Sequence, residues 1–310
     1  MQEPLEAYCH VGIVHPMIFP ACMRGDGPIL ETISQIATDT FFSAIEVTRI
    51  NDAKVRAEVA ELLAASRLDV IFAAQPALLT QGLNLCDLDV EKRRQAVETG
   101  KELVDQAYEL GAAIMPVLSG SDPGEADRPK ATEALIDSLK ELCSYAQEKA
   151  GAKMLSISIE NFDREVDKRQ LVGPTREAAQ IAQTVWDECS NFGLTIDLSH
   201  LPQLNERIDE TALAAVDHLI HVHIGNCVIG DASHPAYGDQ HPRFGLPGGS
   251  VGTEQVRRFL EALIYAGYFK RNTPTTMPVV SFEVKPLENE SPDLVIANAK
   301  RTLTQAWARL

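Results

Sequence analysis

Four residues that can bind a metal ion stand near the ends of separate strand-like runs in the C-terminal half of the chain. They are Glu160 in SISIEN, Asp197 in LTIDLSH, His223 in HVHIGN and Glu283 in VVSFEV. Amphipathic segments separate these runs, so no single loop can bring the four residues together. Only a closed parallel barrel converges successive strand ends on one point. Any one of these residues alone is an ordinary strand-end polar residue, but four in succession predict a shared site.

Three carboxylates and one imidazole form an oxygen-rich ligand set that suits Mn²⁺, Co²⁺ or Mg²⁺ better than a thiolate-bound zinc. We expect one divalent ion, with Mn²⁺ as the first choice. Such an ion polarises a substrate carbonyl, which makes the adjacent C–H acidic. Glu160 and Glu283 can flank that carbon from opposite faces, one removing a proton and the other returning it. The residues therefore predict an isomerase or epimerase.

Two further histidines lie close to these ligands in the sequence. His200 follows Asp197 by three residues, in the loop just beyond the strand. It can contact a substrate hydroxyl or stabilise an enediolate oxygen, and it can equally orient Asp197. His221 shares the strand and the face of His223 but lies one layer deeper, which favours a buried or ligand-orienting role.

The longest predicted connection, residues 227–252, follows the seventh strand and is rich in Gly, Pro, His and Asp. Loops of this length in compact domains are usually lids or binding loops. Its segment GDQHPRFGLPGG (238–249) carries Asp239, His241 and Arg243, which can close over the metal and bind hydroxyls or a phosphate. A solvated surface loop is the alternative. Candidates for substrate contacts on the opposite wall, from the first three strands, are His15, Glu46 and Gln75.

Strand-like and helix-like segments alternate along the whole chain. The predicted strands span 10–17, 43–50, 68–75, 112–119, 154–161, 194–200, 219–226 and 278–285. The predicted helices span 28–41, 52–66, 90–111, 130–150, 174–192, 208–218, 252–268 and 291–308. Eight βα units in succession predict an α/β fold, a single (β/α)8 TIM barrel that forms one domain over residues 1–310. Active sites of such barrels lie at the C-terminal face of the strands, where all four metal-binding candidates fall.

The composition indicates which kinds of molecule the protein can bind. The net charge is −16, from 44 acidic and 28 basic residues without a basic cluster, so we expect no nucleic-acid partner. No apolar run is long enough for a membrane span, and the N-terminus MQEPLEAYCH has no signal-like core. We therefore expect a cytoplasmic protein that forms a homo-oligomer and acts on a small molecule. The six scattered cysteines, without a C-x-x-C pair, are predicted to be free and buried.

The metal-binding candidates, together with the D-x-x-H pair Asp197 and His200, resemble the xylose-isomerase-like TIM barrel superfamily of sugar phosphate isomerases and epimerases. The resemblance covers essentially the whole chain, and NLCDLDVEKRRQAVETG (84–100) is similar to the third βα segment of the group. Within the superfamily, the chain most resembles ketose 3-epimerases of the tagatose and psicose type. The resemblance implies a single Mn²⁺, Co²⁺ or Mg²⁺ ion held by Glu160, Asp197, His223 and Glu283. It also implies proton transfer by Glu160 and Glu283, and a substrate contact by His200.

After His223 the chain departs from the ketose epimerase pattern, which has an arginine followed by a P-G-x-G turn. The chain reads NCVIGD there, and Arg243 before LPGG matches only across an insertion. Similar long loops occur in catalytic subunits of C-glycoside deglycosidases, which cleave a carbon–carbon bond in a 3-oxo-glycoside and need a small partner subunit. That lyase activity is the alternative function. The DNA-repair endonucleases of the superfamily use a larger zinc cluster and a basic groove, which the net charge opposes.

Overall fold

The computed structural model describes residues 3–310, in which eight parallel strands form one sheet. The strands are β1 (His10–Ile13), β2 (Ala44–Val47), β3 (Asp69–Phe72), β4 (Ile114–Val117), β5 (Ser156–Glu160), β6 (Phe192–Asp197), β7 (Leu219–Gly225) and β8 (Val279–Glu283). Their spatial order is β1-β8-β7-β6-β5-β4-β3-β2. A parallel bridge between Val14 and Glu46 brings β1 back to β2, so the sheet closes and the predicted (β/α)8 barrel is confirmed.

Helices connect the strands and cover the outside of the barrel. They are α1 (His15–Ile18), α2 (Ile29–Ala37), α3 (Ala53–Ser66), α4 (Gln75–Gln81), α5 (Val90–Glu109), α6 (Arg128–Lys149), α7 (Thr175–Trp186), α8 (His200–Gln203), α9 (Ile208–Ala215), α10 (Thr253–Ala266) and α11 (Pro292–Trp307). The Asp52 and Asp89 carboxylates accept backbone N–H groups in the first turns of α3 and α5, as capping residues do. None of the helices within residues 3–310 has the length and apolar character that crossing a bilayer requires.

The strands are buried on both faces because helices cover the outside and side chains fill the interior. At the N-terminal end of the barrel, the interior is filled by a small apolar cluster of Ala44, Ile71, Ala113, Ile114 and Val279. Gly12 of β1 lies beside this cluster, and a Cβ there would stand 2.4 Å from Ser281 Oγ. The barrel interior is therefore a packed core, and open space begins only near the C-terminal ends of the strands.

All eight strands end one to four residues earlier than the sequence pattern indicates, and in three of them a helical turn follows almost directly. The first stops at Ile13 and the third at Phe72, because His15-Pro16 and Gln75-Pro76 begin the helices α1 and α4. Proline cannot donate a hydrogen bond to a sheet, but it fits the first turn of a helix. The sixth strand ends at Asp197, and the one-turn helix α8 begins at His200.

The segment between β7 and α10 contains no helix or strand, as predicted for residues 227–252. Val228 forms isolated bridges with Tyr237 and Gly238, which fold the first half of this loop back on itself. The Lys285 N–H donates to the His241 carbonyl at 2.7 Å, which attaches the second half of the loop to the end of β8. The loop is thereby fixed at the C-terminal mouth of the barrel.

Candidate metal centre

The four predicted metal ligands meet at one point. Glu160, Asp197, His223 and Glu283 lie at the C-terminal ends of β5 to β8, and each offers a ligand atom within 4.8 Å of the others. An ion with bonds of about 2.0–2.6 Å separates opposite ligands by roughly twice that length, so the cluster has the right dimensions for one cation. The convergence follows from the parallel register, in which Asp197 pairs with His223 and Gly225 with Glu283.

The His223 ring is held by carboxylates on both of its nitrogens. Its Nδ1 lies 3.2 Å from Glu160 Oε1 and 2.8 Å from Glu283 Oε2, and its Nε2 lies 3.0 Å from Glu46 Oε1. Glu46 Oε1 also lies 2.7 Å from His221 Nε2. A carboxylate bonded to one nitrogen of a metal-binding histidine fixes its ring and tautomer. Glu46 and His221 therefore orient His223, with Nδ1 directed at the other ligands.

The site fits a cation because one of its buried carboxylate oxygens has no well-aligned hydrogen-bond donor. Glu283 Oε2 is buried and lies near His223 Nδ1, yet no aligned hydrogen bond reaches it within the described residues 3–310. A buried carboxylate oxygen of this kind is costly unless a cation compensates it. Gln75 Nε2 donates to Glu160 Oε2 at 2.7 Å, and the Ser199 N–H and hydroxyl donate to Oδ1 and Oδ2 of Asp197, which holds both carboxylates in position beside this oxygen.

Gly225 supplies the room in which these groups come together. It follows His223 by two residues, so its missing side chain would point into the site. A Cβ at this position would lie 2.8 Å from His241 Nδ1, 2.9 Å from the Glu283 carbonyl oxygen and 3.2 Å from Asp197 Oδ2. Only glycine permits this close approach.

A second group of buried polar residues lies beside the first. Asp239 Oδ1 stands 3.1 Å from the Nε2 atoms of both His200 and His241, and His241 Nδ1 stands 3.5 Å from Asp197 Oδ2. The His200 Nδ1 faces the Asn161 carbonyl at 2.8 Å. Asp197, His200 and His241 also satisfy the spacing of a cation site. The two groups share Asp197 and form one continuous polar layer.

Burial and charge act against each other on the ionisable groups of this layer. Burial favours the neutral imidazole, but Glu46, Glu283 and Glu160 raise the pKa of His223 well above its usual range. Burial also lowers the pKa of His200 and His241, but the Asp239 carboxylate more than offsets this and raises the pKa of His200 to about 10 and that of His241 to about 9. Burial, which outweighs the nearby imidazoles, raises the pKa of Asp197. A cation that binds here replaces protons on these groups.

A cavity of about 230 Å³ opens from this layer to the barrel mouth. Its polar lining includes Glu160, His223 and Glu283, together with Glu46, Gln75, Asp239, Gln240, His241, Lys168 and Lys285. Phe162 also lines it. Of the four metal-binding candidates, Glu283 has the most exposed side chain, at 15%, against 0–2% for the others. The cavity therefore gives a small molecule direct access to Glu283.

Two predicted substrate contacts lie elsewhere. The Arg243 Nε donates to Glu290 Oε1 at 2.7 Å, and the residue is not part of the cavity lining. The His15 side chain turns toward α2, where its Nε2 lies 2.8 Å from Thr32 Oγ1, and burial lowers its pKa to about 3. The helical turn that starts at His15 directs its ring away from the barrel axis. The structure thus does not support either residue as a substrate contact.

Other predicted residues reach the site with altered surroundings. His241 and Gln75 line the cavity, and Glu46 does so with its carboxylate already bonded to two histidines. His200 is buried behind Phe162, with their ring centroids 4.4 Å apart, and it does not line the cavity. The alternative prediction was that His200 orients Asp197; in the structure its ring nitrogens face the Asn161 carbonyl and Asp239 Oδ1.

Two lysines on the cavity wall, Lys168 and Lys285, were not among the sequence-based candidates. Lys285 follows Glu283 by two residues and shares its face by strand alternation, a spacing that could have indicated it. Lys168 comes from the loop after β5, and no spacing rule connects it with the site.

Comparison with known proteins identifies the family. Residues 35–285 match the family described as the xylose isomerase-like TIM barrel. No curated protein matches the chain.

Among solved structures, a D-tagatose 3-epimerase-like protein is 18% identical with a TM-score of 0.70, and the match covers 97% of this chain and 99% of that chain. A D-psicose 3-epimerase from Clostridium cellulolyticum H10, solved with D-tagatose, is 16% identical with a TM-score of 0.64 over 96% and 97% of the two chains. An IOLI protein with a bound zinc atom is 14% identical with a TM-score of 0.69 over 97% and 98%. These likenesses establish the fold, and the family match over residues 35–285 shows that the chain belongs to the xylose isomerase-like TIM barrel family.

Proposed function

We propose that this protein is a divalent-metal-dependent isomerase or epimerase that removes a proton next to the carbonyl of a sugar or sugar derivative. The observation that carries the proposal is the convergence of Glu160, Asp197, His223 and Glu283, all of which except Asp197 line an accessible cavity. Structural likeness to ketose 3-epimerases agrees with this choice. Mn²⁺ is the proposed ion because the ligand set is rich in carboxylates.

The bound ion would polarise the substrate carbonyl and lower the barrier to breaking the adjacent C–H bond. Glu283 is the proposed base, because its carboxylate faces the cavity and one of its oxygens lacks an aligned hydrogen bond. Glu160 returns a proton from the other side, and Gln75 holds its Oε2 in place at 2.7 Å. Glu283 keeps the proton that it removes, Glu160 donates a second proton to the same carbon, and exchange with solvent resets both carboxyl groups between turnovers; Glu46 only keeps the His223 ring in place.

A lyase that starts with the same proton abstraction is the second candidate. The cavity wall formed by the β1, β3 and β5 ends is apolar, with Val14, Met17, Met23, Pro76, Leu79 and Phe162. Hydroxyl groups find no hydrogen-bond partner on such a wall, whereas an aryl group is stabilised by apolar contact with it. This observation favours keeping a 3-oxo-glycoside with an apolar aglycone among the substrates to be tested.

The test is a screen for solvent deuterium incorporation into free ketoses, ketose phosphates and 3-oxo-glycosides with Mn²⁺ present. We expect metal-dependent exchange at one carbon of at least one substrate. Glu283→Gln should reduce that exchange by about a hundredfold or more, since loss of a general base typically costs 10²–10⁴. Glu288→Gln, an exposed glutamate five residues further along, is the matched control and should exchange normally. Absence of exchange with all three substrate classes, or full activity of Glu283→Gln, would contradict the proposal.

A further inference from the structure

The loop after β5 is folded around one buried carboxylate. Asp163 accepts the backbone N–H groups of Val166, Asp167 and Lys168 at 2.6, 2.8 and 2.8 Å. Its side chain lies in the interior, so the three bonds are protected from water. They fix the path of residues 163–168 and direct two side chains of this loop toward the loop after β7.

Asp167 and Lys168 bind the second loop at one place. Asp167 Oδ2 accepts the Asp239 N–H at 2.9 Å, and the Lys168 ammonium donates to the Asp239 carbonyl at 3.2 Å. The two loops can approach this closely because residue 238 is glycine with a φ of +84°, where a Cβ would lie 2.8 Å from Asp167 Cβ. Two side chains of the first loop therefore hold the backbone of the second loop at residue 239.

The two oxygens of the Asp239 carboxylate have different partners, one in this contact and the other beside the candidate metal centre. Its Oδ2 lies 3.3 Å from Lys168 Nζ, and its Oδ1 lies 3.1 Å from both His200 Nε2 and His241 Nε2. Gln203 Nε2 also donates to Oδ1, at 3.0 Å. Rotation of the carboxylate away from Lys168 would break the contacts with both histidines at once.

We propose that Lys168 is a positioning residue for the reaction, and this inference rests on the proposed function. The Lys168 ammonium holds Asp239 so that Oδ1 stays between the two histidines. His241 is then kept against the metal centre, where its Nε2 lies 3.6 Å from Glu283 Oε1. Lys168 contacts none of the four metal-binding candidates, so it acts on the geometry of the cavity wall and leaves the metal in place.

The experiment compares Lys168→Met with Lys168→Arg in the Mn²⁺-loaded protein. We expect Lys168→Met to lower kcat for deuterium exchange by about 10–100-fold, the usual effect of removing a group that orients site residues. KM and metal content should stay within about twofold of wild type. Lys168→Arg should recover most of the activity, because a guanidinium can donate to the same oxygens. Lys153→Met, at an exposed lysine just before β5, is the matched control.

A second readout separates this inference from the proposed function. With diamagnetic Mg²⁺ in place of Mn²⁺, the imidazole ring resonances of His200 and His241 in NMR spectra should shift in Lys168→Met and stay in place in Lys168→Arg and Lys153→Met. This measurement needs no substrate, so it stands even if no exchange is found with any sugar. Unchanged ring resonances, loss of metal in Lys168→Met, or equal losses of kcat in the Met and Arg variants would overturn the assignment. Asp167→Asn, which keeps the size of the side chain, provides a milder variant should Lys168→Met fail to fold.

Discussion

Replacing Gly225 by alanine tests whether the candidate metal centre is as tightly packed as its geometry indicates. The added Cβ would stand 2.8 Å from His241 Nδ1, 2.9 Å from the Glu283 carbonyl oxygen and 3.2 Å from Asp197 Oδ2. The His241 ring can rotate and the Asp197 carboxylate can tilt. The Glu283 carbonyl oxygen belongs to the backbone of β8 and moves only if the strand moves.

The expected effects on stability and on metal binding differ in size. Overpacking of a tight interior costs about 1–3 kcal/mol, and the reduced entropy of the unfolded chain returns about 0.4–1 kcal/mol for a Gly-to-Ala change. The net loss of about 0–2.6 kcal/mol lowers Tm by at most several degrees in a chain of this length. Displacement of Asp197 or Glu283 should weaken Mn²⁺ binding by about 10–100-fold, the range found when groups that orient metal ligands are removed.

Isothermal titration with Mn²⁺ gives the affinity, and thermal unfolding in chelator gives the stability of the metal-free protein. Gly230→Ala is the matched control, because that glycine lies in the loop after β7 and a Cβ there meets no atom within 4 Å. We expect Gly230→Ala to behave as wild type in both assays. If Gly225→Ala binds Mn²⁺ with the same affinity as Gly230→Ala, the close packing around residue 225 does not position the ligands and our account of the site is wrong.

Three further predictions address the metal, the cavity and the thiols. Chelation should lower the Tm of the wild type by about 5 °C or more, because an ion at 100 times its Kd contributes about 2.7 kcal/mol; Asp197→Ala should show no such difference, and a wild-type Tm indifferent to metal would contradict the site. Leu79→Asn should raise KM for a phenyl 3-oxo-glycoside by about three- to tenfold through loss of apolar contact. Leu88→Asn is the matched control, because Leu88 is similarly exposed, at 42% against 40%. It should leave KM unchanged, since Leu88 lies outside the cavity lining. All six cysteines are free and buried, and burial raises the pKa of Cys86 and Cys227 to about 12. A thiol reagent at pH 8 should therefore label six groups only after unfolding. Fast labelling of the native protein would contradict this buried arrangement.

The parts of the site that the sequence predicts well are those fixed by regular structure. A ligand at the end of a barrel strand reaches the common centre because strand direction and alternation leave it no other position. Glu160, Asp197, His223 and Glu283 meet for this reason. His221 lies behind His223, as its place on the same face of β7 predicts. The eight βα units could likewise be recognised, because each strand is an apolar run buried on both faces.

The parts that sequence reasoning misplaced depend on contacts between distant segments. Arg243 was expected to reach the substrate, but Glu290 lies 47 residues away in the sequence and binds its guanidinium. His15 was assigned to a strand, whereas Pro16 ends the sheet and begins a helical turn. Lys168 joins the site only because Asp163 folds its loop in a particular way. Loop paths of this kind are set by side-chain to backbone bonds that leave no periodic signal.

The bridge between Val14 and Glu46, which closes the barrel, involves the same residue that bonds with the histidines in the barrel interior. The first and second strands meet through this bridge, and the side chain of the same Glu46 reaches across the interior to His221 and His223. The residue that completes the circle of strands is therefore also the one that orients a ligand 177 positions later in the chain. Glu46 thus serves both the closure of the barrel and the orientation of His223, and a chain whose first and second strands have not met has no carboxylate in place to fix this candidate ligand.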